Sequence, residues 1–364
     1  MGGHPPWPPA HGLRPRYPCF SLRQKLCDEG RPTDLGESET PHQAHQRRRG
    51  VCPIEIPVTL PEFCGESVSA EGYPELSQAR VGRYGCGVEE VLEAAILGIV
   101  QGLTEFLPIS STGHLVLTSE LLGIDDKKFG LQFDAAIHLG TLAAVLIYFR
   151  VTVLNLATAW LASLPARNWQ HTRESRLAWL LLLGTIPAGL AGLALESTVE
   201  DELRDPAVVA AMLIVFCVPM LLAEHYGSRT RDVTSAGLLD ALLVGAAQAI
   251  ALIPGVSRSG ITISTGMFAG FKREEAATFA FLLSAPIIAA AGGKQVLDLL
   301  RGHDDGASAG LGVYAVGLVT AAIVGYGAVA FLLRFLRTNS LHLFVYYRVA
   351  LGVLVLALVA AGVL

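Results

Sequence analysis

The feature that most constrains this fold is a series of long apolar segments, which begins near Val91 and continues to the C-terminus. A helix needs about 20 apolar residues to cross the hydrocarbon of a bilayer. Six segments are long enough, near 132–149, 177–195, 207–223, 275–292, 310–333 and 344–364. Only 16% of the 364 residues are charged, whereas soluble domains carry about a quarter. We therefore expect an all-α integral membrane protein with about six spanning helices.

Residues 1–90 differ in composition from the rest of the chain. They hold 12 of the 19 prolines and five of the six cysteines, and they show neither helical nor strand periodicity. Two interpretations remain open: a disordered tail, or an N-terminal extension that is not translated because an upstream start codon was chosen wrongly. The cysteines lack the paired spacing of a zinc site. The membrane domain is predicted to occupy 91–364.

Charge excludes one large class of partners. The chain has 27 Lys and Arg residues against 32 Asp and Glu, a net charge of −5. A nucleic-acid-binding protein usually presents a strongly basic surface. We therefore expect no nucleic-acid partner, whereas the bilayer itself is an expected partner. An oligomer is compatible with the sequence.

Two further apolar regions, 91–122 and 237–269, are interrupted in the middle by Pro, Gly and Ser. Each is long enough for two half-helices. Broken backbone at membrane depth is tolerated only where it is buried in protein or lines a wet cavity. These regions are predicted to form two re-entrant helix hairpins, and both breaks are candidate sites.

The two broken regions resemble each other. Four residues recur 147 positions later: Gly98, Gln101, Ser110 and Gly113 match Gly245, Gln248, Ser257 and Gly260. Three full spans lie between them, so the two units are predicted to have opposite topologies, with repeat 1 at about 91–223 and repeat 2 at about 237–364. In inverted repeats, broken helices meet near the midplane and form the binding site. Coincidence among common residues of apolar sequence is the alternative.

The connecting segments predict an orientation. Segments 150–176 and 225–236 carry an excess of arginine, and Arg334 and Arg337 follow a later span, whereas 196–206 is acidic. By the positive-inside rule the arginine-bearing segments are cytoplasmic and the acidic one is external. The first broken region then opens outward and the second inward.

The first break reads QGLTEFLPISSTGHLVL. Gln101 and Glu105 are four residues apart and therefore share one helix face. An ionised carboxylate in lipid costs about 2.5–3.5 kcal/mol or more unless it is paired, hydrated or metal-bound. Glu105 is therefore a candidate catalytic or metal-binding group, and the alternative is a structural pair with a buried arginine.

Pro108 ends that half-helix, and a run of hydroxyls opens the next one: Ser110, Ser111 and Thr112, followed by Gly113 and His114. A helix N-terminus with free amides favours anions. The alternative is ordinary N-capping, which needs one hydroxyl rather than three. His114 is either a satisfied core residue or a proton carrier.

The second break reads LIPGVSRSGITIS. Arg258 has a fixed charge and paired planar donors that suit phosphate oxygens. Ser257, Ser259 and Gly260 repeat the hydroxyl-rich helix start, and Gln248 repeats Gln101. If the tips converge, their polar residues suit a phosphate or diphosphate group.

Hydrolysis of such a group needs a nucleophile, neutralisation of charge and proton transfer. The candidates are Ser111 as nucleophile, Arg258 with the helix dipoles for the charge, and His114 for the proton. Glu105 is predicted either to hold a divalent cation or to act as the base. Attack by an activated water, with Ser111 only positioning phosphate, is also open.

The segments QGLTEFLPISSTGH and PGVSRSG resemble the two signature segments of the undecaprenyl-diphosphate phosphatase family, also known for bacitracin resistance. The resemblance covers about 88–364. It implies a multi-pass enzyme of the bacterial plasma membrane that hydrolyses a C55 isoprenyl diphosphate lipid to the monophosphate and so recycles the carrier for peptidoglycan synthesis. It also implies a divalent cation (Mg or Ca) and an active site that faces the external side.

By matching position, Glu105 belongs to the family's acidic motif, Ser111 and His114 to its Ser-rich segment, and Arg258 is its phosphate-binding arginine. The first position of the acidic motif is often Glu, and here it is Gln101. Metal binding by two carboxylates is therefore not expected, and Glu105 is the metal ligand that the resemblance implies.

The sequence has three alternative functional interpretations. SSTGH is similar to the PSGH segment of type 2 phosphatidic acid phosphatases, but their third motif has a His six residues after its Arg, and position 264 is Ser here. The main alternative is a transporter or flippase of a phosphorylated polyprenyl lipid, since inverted repeats and broken helices are typical of transporters. A purely structural membrane subunit would leave a buried Glu and Arg without a purpose.

Overall fold

A computed structural model describes residues 87–124, 126–202, 205–301 and 310–363. The described part of the chain is helical apart from its connections, which include a single turn of 3₁₀-helix at Val233–Ser235. The α-helices are α1 Val88–Phe106, α2 Ser111–Leu122, α3 Asp126–Tyr148, α4 Arg150–Ala166, α5 Arg173–Glu202, α6 Pro206–Val215, α7 Cys217–Tyr226, α8 Leu238–Ile250, α9 Arg258–Phe268, α10 Arg273–Leu300, α11 Leu311–Leu336 and α12 His342–Ala360.

The expected class, an all-α integral membrane protein, is confirmed. In the described ranges five helical stretches are long and apolar enough to cross a membrane, or six if one bent pair counts as a span. Two of the five are α11 and α12, and a third combines α6 and α7 as Pro206–Tyr226. Many large apolar side chains point outward, among them Leu190, Leu193 and Ile323, which are 64%, 73% and 68% exposed. Such exposure is costly in water and ordinary in lipid.

The bent pair corrects one expectation. The sequence predicts that segment 150–176 is a cytoplasmic connection. Its first part instead forms α4, which follows the span Gln132–Tyr148 at an angle of 85°. Apolar residues explain this helix, because Leu156 is buried against the core and Trp160 packs on Trp179 of α5 with ring centroids 5.8 Å apart. The connection proper is therefore confined to the short segment between α4 and α5.

Both predicted breaks are present. Helix α1 ends at Phe106 and α2 begins at Ser111, and α8 ends at Ile250 before α9 begins at Arg258. The residues that precede α2 and α9, Ser110 and Ser257, both have φ of +76°. A non-glycine residue held in such a conformation costs on the order of 1–3 kcal/mol, and these conformations cluster at functional sites. The same unusual turn at positions 147 apart is what the predicted repeat requires.

The first helix of each predicted repeat packs on a helix of the other repeat. Helix α1 packs mainly on α11, and α8 packs mainly on α5. Each pair meets at a glycine: a Cβ on Gly98 of α1 would overlap the backbone of Gly317, and a Cβ on Gly245 of α8 would overlap the backbone of Gly184. Small residues allow close helix contacts in membranes. The described helices belong to one compact unit, and the first helix of each predicted repeat makes its main contacts with a helix of the other repeat.

The predicted N-terminal extension, 1–90, lies outside the described residues as far as residue 86. The five cysteines of this extension are therefore outside the described residues as well. Residues 203–204 of the acidic segment also lie outside.

Candidate active site

The tips of the two breaks meet. Ser259, at the start of α9, donates a hydrogen bond from Oγ to the backbone carbonyl of Leu107 in the first break (2.9 Å). Arg258 Nη1 lies 3.3 Å from Oε1 of Glu105 on α1. Residues about 150 positions apart thus form one site, and both break regions are buried in protein, as broken backbone at this depth requires.

Glu105 is the centre of the site. Its side chain is only 4% exposed, and Oε2 accepts hydrogen bonds from Ser111 Oγ (2.6 Å) and Gln101 Nε2 (3.1 Å). Gln101 and Glu105 share a face of α1, as their spacing predicts. The short bond aims the Ser111 proton at a carboxylate, the arrangement that activates a hydroxyl nucleophile.

The structural alternative for Glu105 predicts that it pairs with a buried arginine, and Glu105 does pair with Arg258. However, Arg258 is not a buried partner, because its side chain is 30% exposed. Nη1 is itself buried, and within the described part of the chain it meets Glu105 as an ion pair without making a hydrogen bond of good geometry. Its N–H groups can therefore be offered to an anion that enters next to Ser111 and Glu105.

Two helix N-termini face this region, and they differ in capping. At α9 the hydroxyl of Ser257 accepts from the backbone N–H of Gly260 (3.1 Å), which is ordinary N-capping. At α2, within the described residues, no side chain caps the helix. The capping alternative thus holds for Ser257 and not for Ser110, and the first turn of α2 keeps backbone N–H groups that suit an anion.

His114 lies beside the Ser-rich turn but is held from two sides. Its Nδ1 lies 2.6 Å from the Ser110 carbonyl and its Nε2 lies 2.7 Å from the hydroxyl of Tyr347, on which the ring stacks. Because a carbonyl only accepts, Nδ1 carries the hydrogen in the neutral ring. Ser111 donates to Glu105 and not to His114, so Glu105 is the side chain in position to accept the Ser111 proton. The base role of Glu105 and the proton-carrying role of His114 both stay predictions.

The other predicted substrate-binding residues differ in burial and in contacts. Thr112 is half-buried, and Gly113 packs on α6, where an added Cβ would lie 3.1 Å from Val209. Gln248 is 3% exposed, and among the described residues neither atom of its amide has a hydrogen-bond partner. An unpaired buried amide is costly, which makes Gln248 a candidate ligand group.

Two residues that sequence reasoning missed belong to the site. His138 of α3 places Nε2 3.8 Å from Glu105 Oε2, while its Nδ1 is 2.7 Å from the carbonyl of Asp134. Arg348 of α12 is fully buried and hydrogen-bonds backbone carbonyls of both breaks. Each lies in a largely apolar span outside the two break motifs, so no motif spacing signals its role.

Comparison with known proteins identifies the family of this chain. Residues 94–354 match the family model described as bacitracin resistance protein BacA. The chain belongs to the BacA family. A BacA-family relative from Rubrobacter xylanophilus is 47% identical over 269 residues, which cover 74% of this chain and 98% of the relative. Relatives from Thermobifida fusca and Myxococcus xanthus are 45% and 46% identical over 274 and 272 residues, which cover 75% of this chain in each case and 92% and 90% of the relatives. All three are named undecaprenyl-diphosphatase.

The family resemblance inferred from the two motifs is thereby confirmed, and both motifs lie inside the matched BacA-family region. The match begins at residue 94, so it leaves out the whole of the predicted N-terminal extension. As expected for this family, the chain is a multi-pass membrane protein.

Proposed function

We propose that this BacA-family protein hydrolyses undecaprenyl diphosphate to undecaprenyl phosphate and phosphate, recycling the lipid carrier for peptidoglycan synthesis and conferring bacitracin resistance. The observation that carries the proposal is the 2.6 Å hydrogen bond from Ser111 Oγ to Glu105 Oε2, beside the Arg258 guanidinium. A carrier or flippase needs an anion site but no activated hydroxyl, and the names of the relatives also favour hydrolysis over transport.

In the proposed reaction Glu105 takes the Ser111 proton as Oγ attacks the terminal phosphorus. The bond from that phosphorus to the bridging oxygen breaks, and undecaprenyl phosphate leaves. Water then attacks the phosphoserine, the bond from phosphorus to Oγ breaks, Oγ takes back the proton from Glu105, and phosphate leaves. Arg258 Nη1 and the amides that begin α2 and α9 stabilise the charge on the phosphoryl oxygens.

A divalent cation is part of the proposal. The described residues contain no group of three or more His, Cys, Asp or Glu side chains suited to a metal. Mg²⁺, however, is usually held by one or two carboxylates together with water and substrate phosphates. Glu105 fits this role, and so does Oε1 of Gln101, a buried oxygen that accepts no hydrogen bond from the described residues. When bound, the ion neutralises phosphate charge.

The first experiment measures phosphate release from undecaprenyl diphosphate by the purified full-length protein. Wild type should release phosphate, and Ser111→Ala should not. The matched control is Ser163→Ala, since Ser163 is another buried serine, which lies on α4, donates to the backbone of Trp160 and accepts from Trp179. Lipid transfer between leaflets without phosphate release would refute the proposal.

A trapping experiment tests the nucleophile. After brief reaction with labelled substrate and acid quenching, label should remain on wild type and be absent from Ser111→Ala. Turnover without any trapped label, under conditions that slow the second step, would favour direct attack by water.

The site is proposed to open to the external side, as the family resemblance implies, and the arginine distribution likewise makes the first break open outward. A membrane-impermeant maleimide should therefore label Thr112→Cys in intact cells, above the background of the unsubstituted chain. Labelling that requires permeabilised cells would contradict the external orientation.

A further inference from the structure

Arg348 is the largest fully buried side chain in the described part of the protein. It lies on α12, and its guanidinium makes five hydrogen bonds to backbone carbonyls. One acceptor is Pro108 in the first break, and two are Gly255 and Val256 in the second. The remaining two belong to the last turn of α6, which ends at another helix break.

The carbonyls in the two breaks share a physical problem. Pro108, Gly255 and Val256 lie in backbone outside the helices, where the regular helical ladder of hydrogen bonds does not continue, and at membrane depth there is no bulk water to satisfy their carbonyls. The planar fork of an arginine can serve several acceptors at once, which a lysine cannot. Arg348 therefore satisfies, with one side chain, carbonyls of both breaks and adds hydrogen bonds to two carbonyls near the end of α6.

The charge of Arg348 is also notable. Within the described ranges no carboxylate lies at ion-pair distance from it, so backbone carbonyls and the Cys217 thiol face the cation. The guanidinium sits directly behind the first turn of α9, since a Cβ added to Gly260 would lie 3.5 Å from its Nη1. Its positive charge thus adds to the positive end of the α9 dipole, next to Arg258, and makes this helix start more favourable for an anion.

We propose that Arg348 is a positioning residue, which ties the two breaks together so that Ser111 and Arg258 address the same phosphoryl group. This inference rests on the proposed function. Ser111 follows Pro108 by three residues and Arg258 follows Val256 by two, so a shift of either carbonyl moves a reacting group. A displacement of about 1 Å in an active site can cost 10²-fold in rate.

The experiment compares Arg348→Lys and Arg348→Met with wild type, measuring kcat and KM for undecaprenyl diphosphate together with melting temperature. The matched control is Arg176→Met, because Arg176 also donates to a backbone carbonyl, that of Ala236, away from the site. We expect kcat per folded molecule to fall about 10- to 100-fold in both Arg348 variants. KM should change much less, and the control should keep the wild-type kcat.

A second measurement separates positioning from simple stability. Millimolar guanidinium should restore part of the lost kcat in Arg348→Ala and should leave Arg176→Met unchanged. A folded Arg348→Lys or Arg348→Met with wild-type kcat overturns the inference, as does a variant whose only defect is in KM. Failure of both variants to fold in detergent assigns Arg348 to stability alone and also overturns it.

The two proposals fail in distinguishable ways. If wild type and Arg176→Met release no phosphate, the proposed function is wrong. If they release phosphate and the Arg348 variants do so equally well, only the positioning role is wrong.

Discussion

Two buried glutamates allow a sharp test of the site. Glu105 contacts Ser111, Gln101 and Arg258, whereas Glu224, on α7, pairs with Arg229 and Arg273 and accepts from the backbone N–H of Leu341. Both are nearly inaccessible, and both are paired with arginine. Replacement by glutamine removes a charge and keeps the shape in each case.

The expected effects differ in kind. Loss of a general base costs 10²- to 10⁴-fold in rate, or about 3–5 kcal/mol of activation free energy. We therefore expect Glu105→Gln to lose at least 100-fold in kcat, on the order of that range. Glu224→Gln leaves two arginines without a carboxylate, and because these are partly exposed we expect a loss of about 2 kcal/mol in unfolding free energy.

The assay is phosphate release per folded molecule, with the melting temperature of each detergent-solubilised variant measured in parallel. Glu105→Gln should be inactive with a melting temperature near that of wild type. Glu224→Gln should melt earlier and keep its kcat at a temperature where it is folded. A Glu105→Gln variant within about tenfold of the wild-type kcat would refute the assignment of the base.

Three further predictions follow from the packing and the site. Gly245→Ala should lower the melting temperature, since overpacking costs about 1–3 kcal/mol, whereas Gly189→Ala, where an added Cβ meets no atom within 4 Å, should leave it unchanged or raise it. Arg258→Lys keeps the charge but loses the planar pair of donors, so kcat/KM should fall, and an unchanged value in steady-state kinetics would contradict phosphate binding by its fork. Gln248→Leu removes an unpaired buried amide, so the melting temperature should rise; KM for undecaprenyl diphosphate should rise as well, and an unchanged KM would exclude Gln248 from substrate binding.

The local part of the site was predictable because its residues are close in sequence. Gln101 and Glu105 are one helical turn apart, and Ser111 follows across the turn that Pro108 requires, so hydrogen-bonding distance between them is a local matter. The second break was predictable because it repeats the first at a constant offset. The expectation that the two tips meet came from the repeat.

Other parts of the site required the folded chain. His138, Tyr347 and Arg348 reach it from spans α3 and α12, which are far from the breaks in sequence. Hydropathy shows that a segment crosses the membrane but not which of its faces meets which neighbour. The same limit applies to α4, whose apolar residues indicate burial but not the 85° bend that turns it away from α3.

The amino-acid sequence by itself determined the membrane class, the positions of the breaks and the local chemistry of Ser111 and Glu105, because these follow from hydropathy, proline and spacing along one chain segment. Tertiary structure alone decided that Arg258 faces Glu105 at 3.3 Å and that Arg348 holds both breaks. The physical reason is that contacts between distant helices depend on how closely their faces can approach, and glycines such as Gly98 and Gly245 set that approach only once both partners are in place.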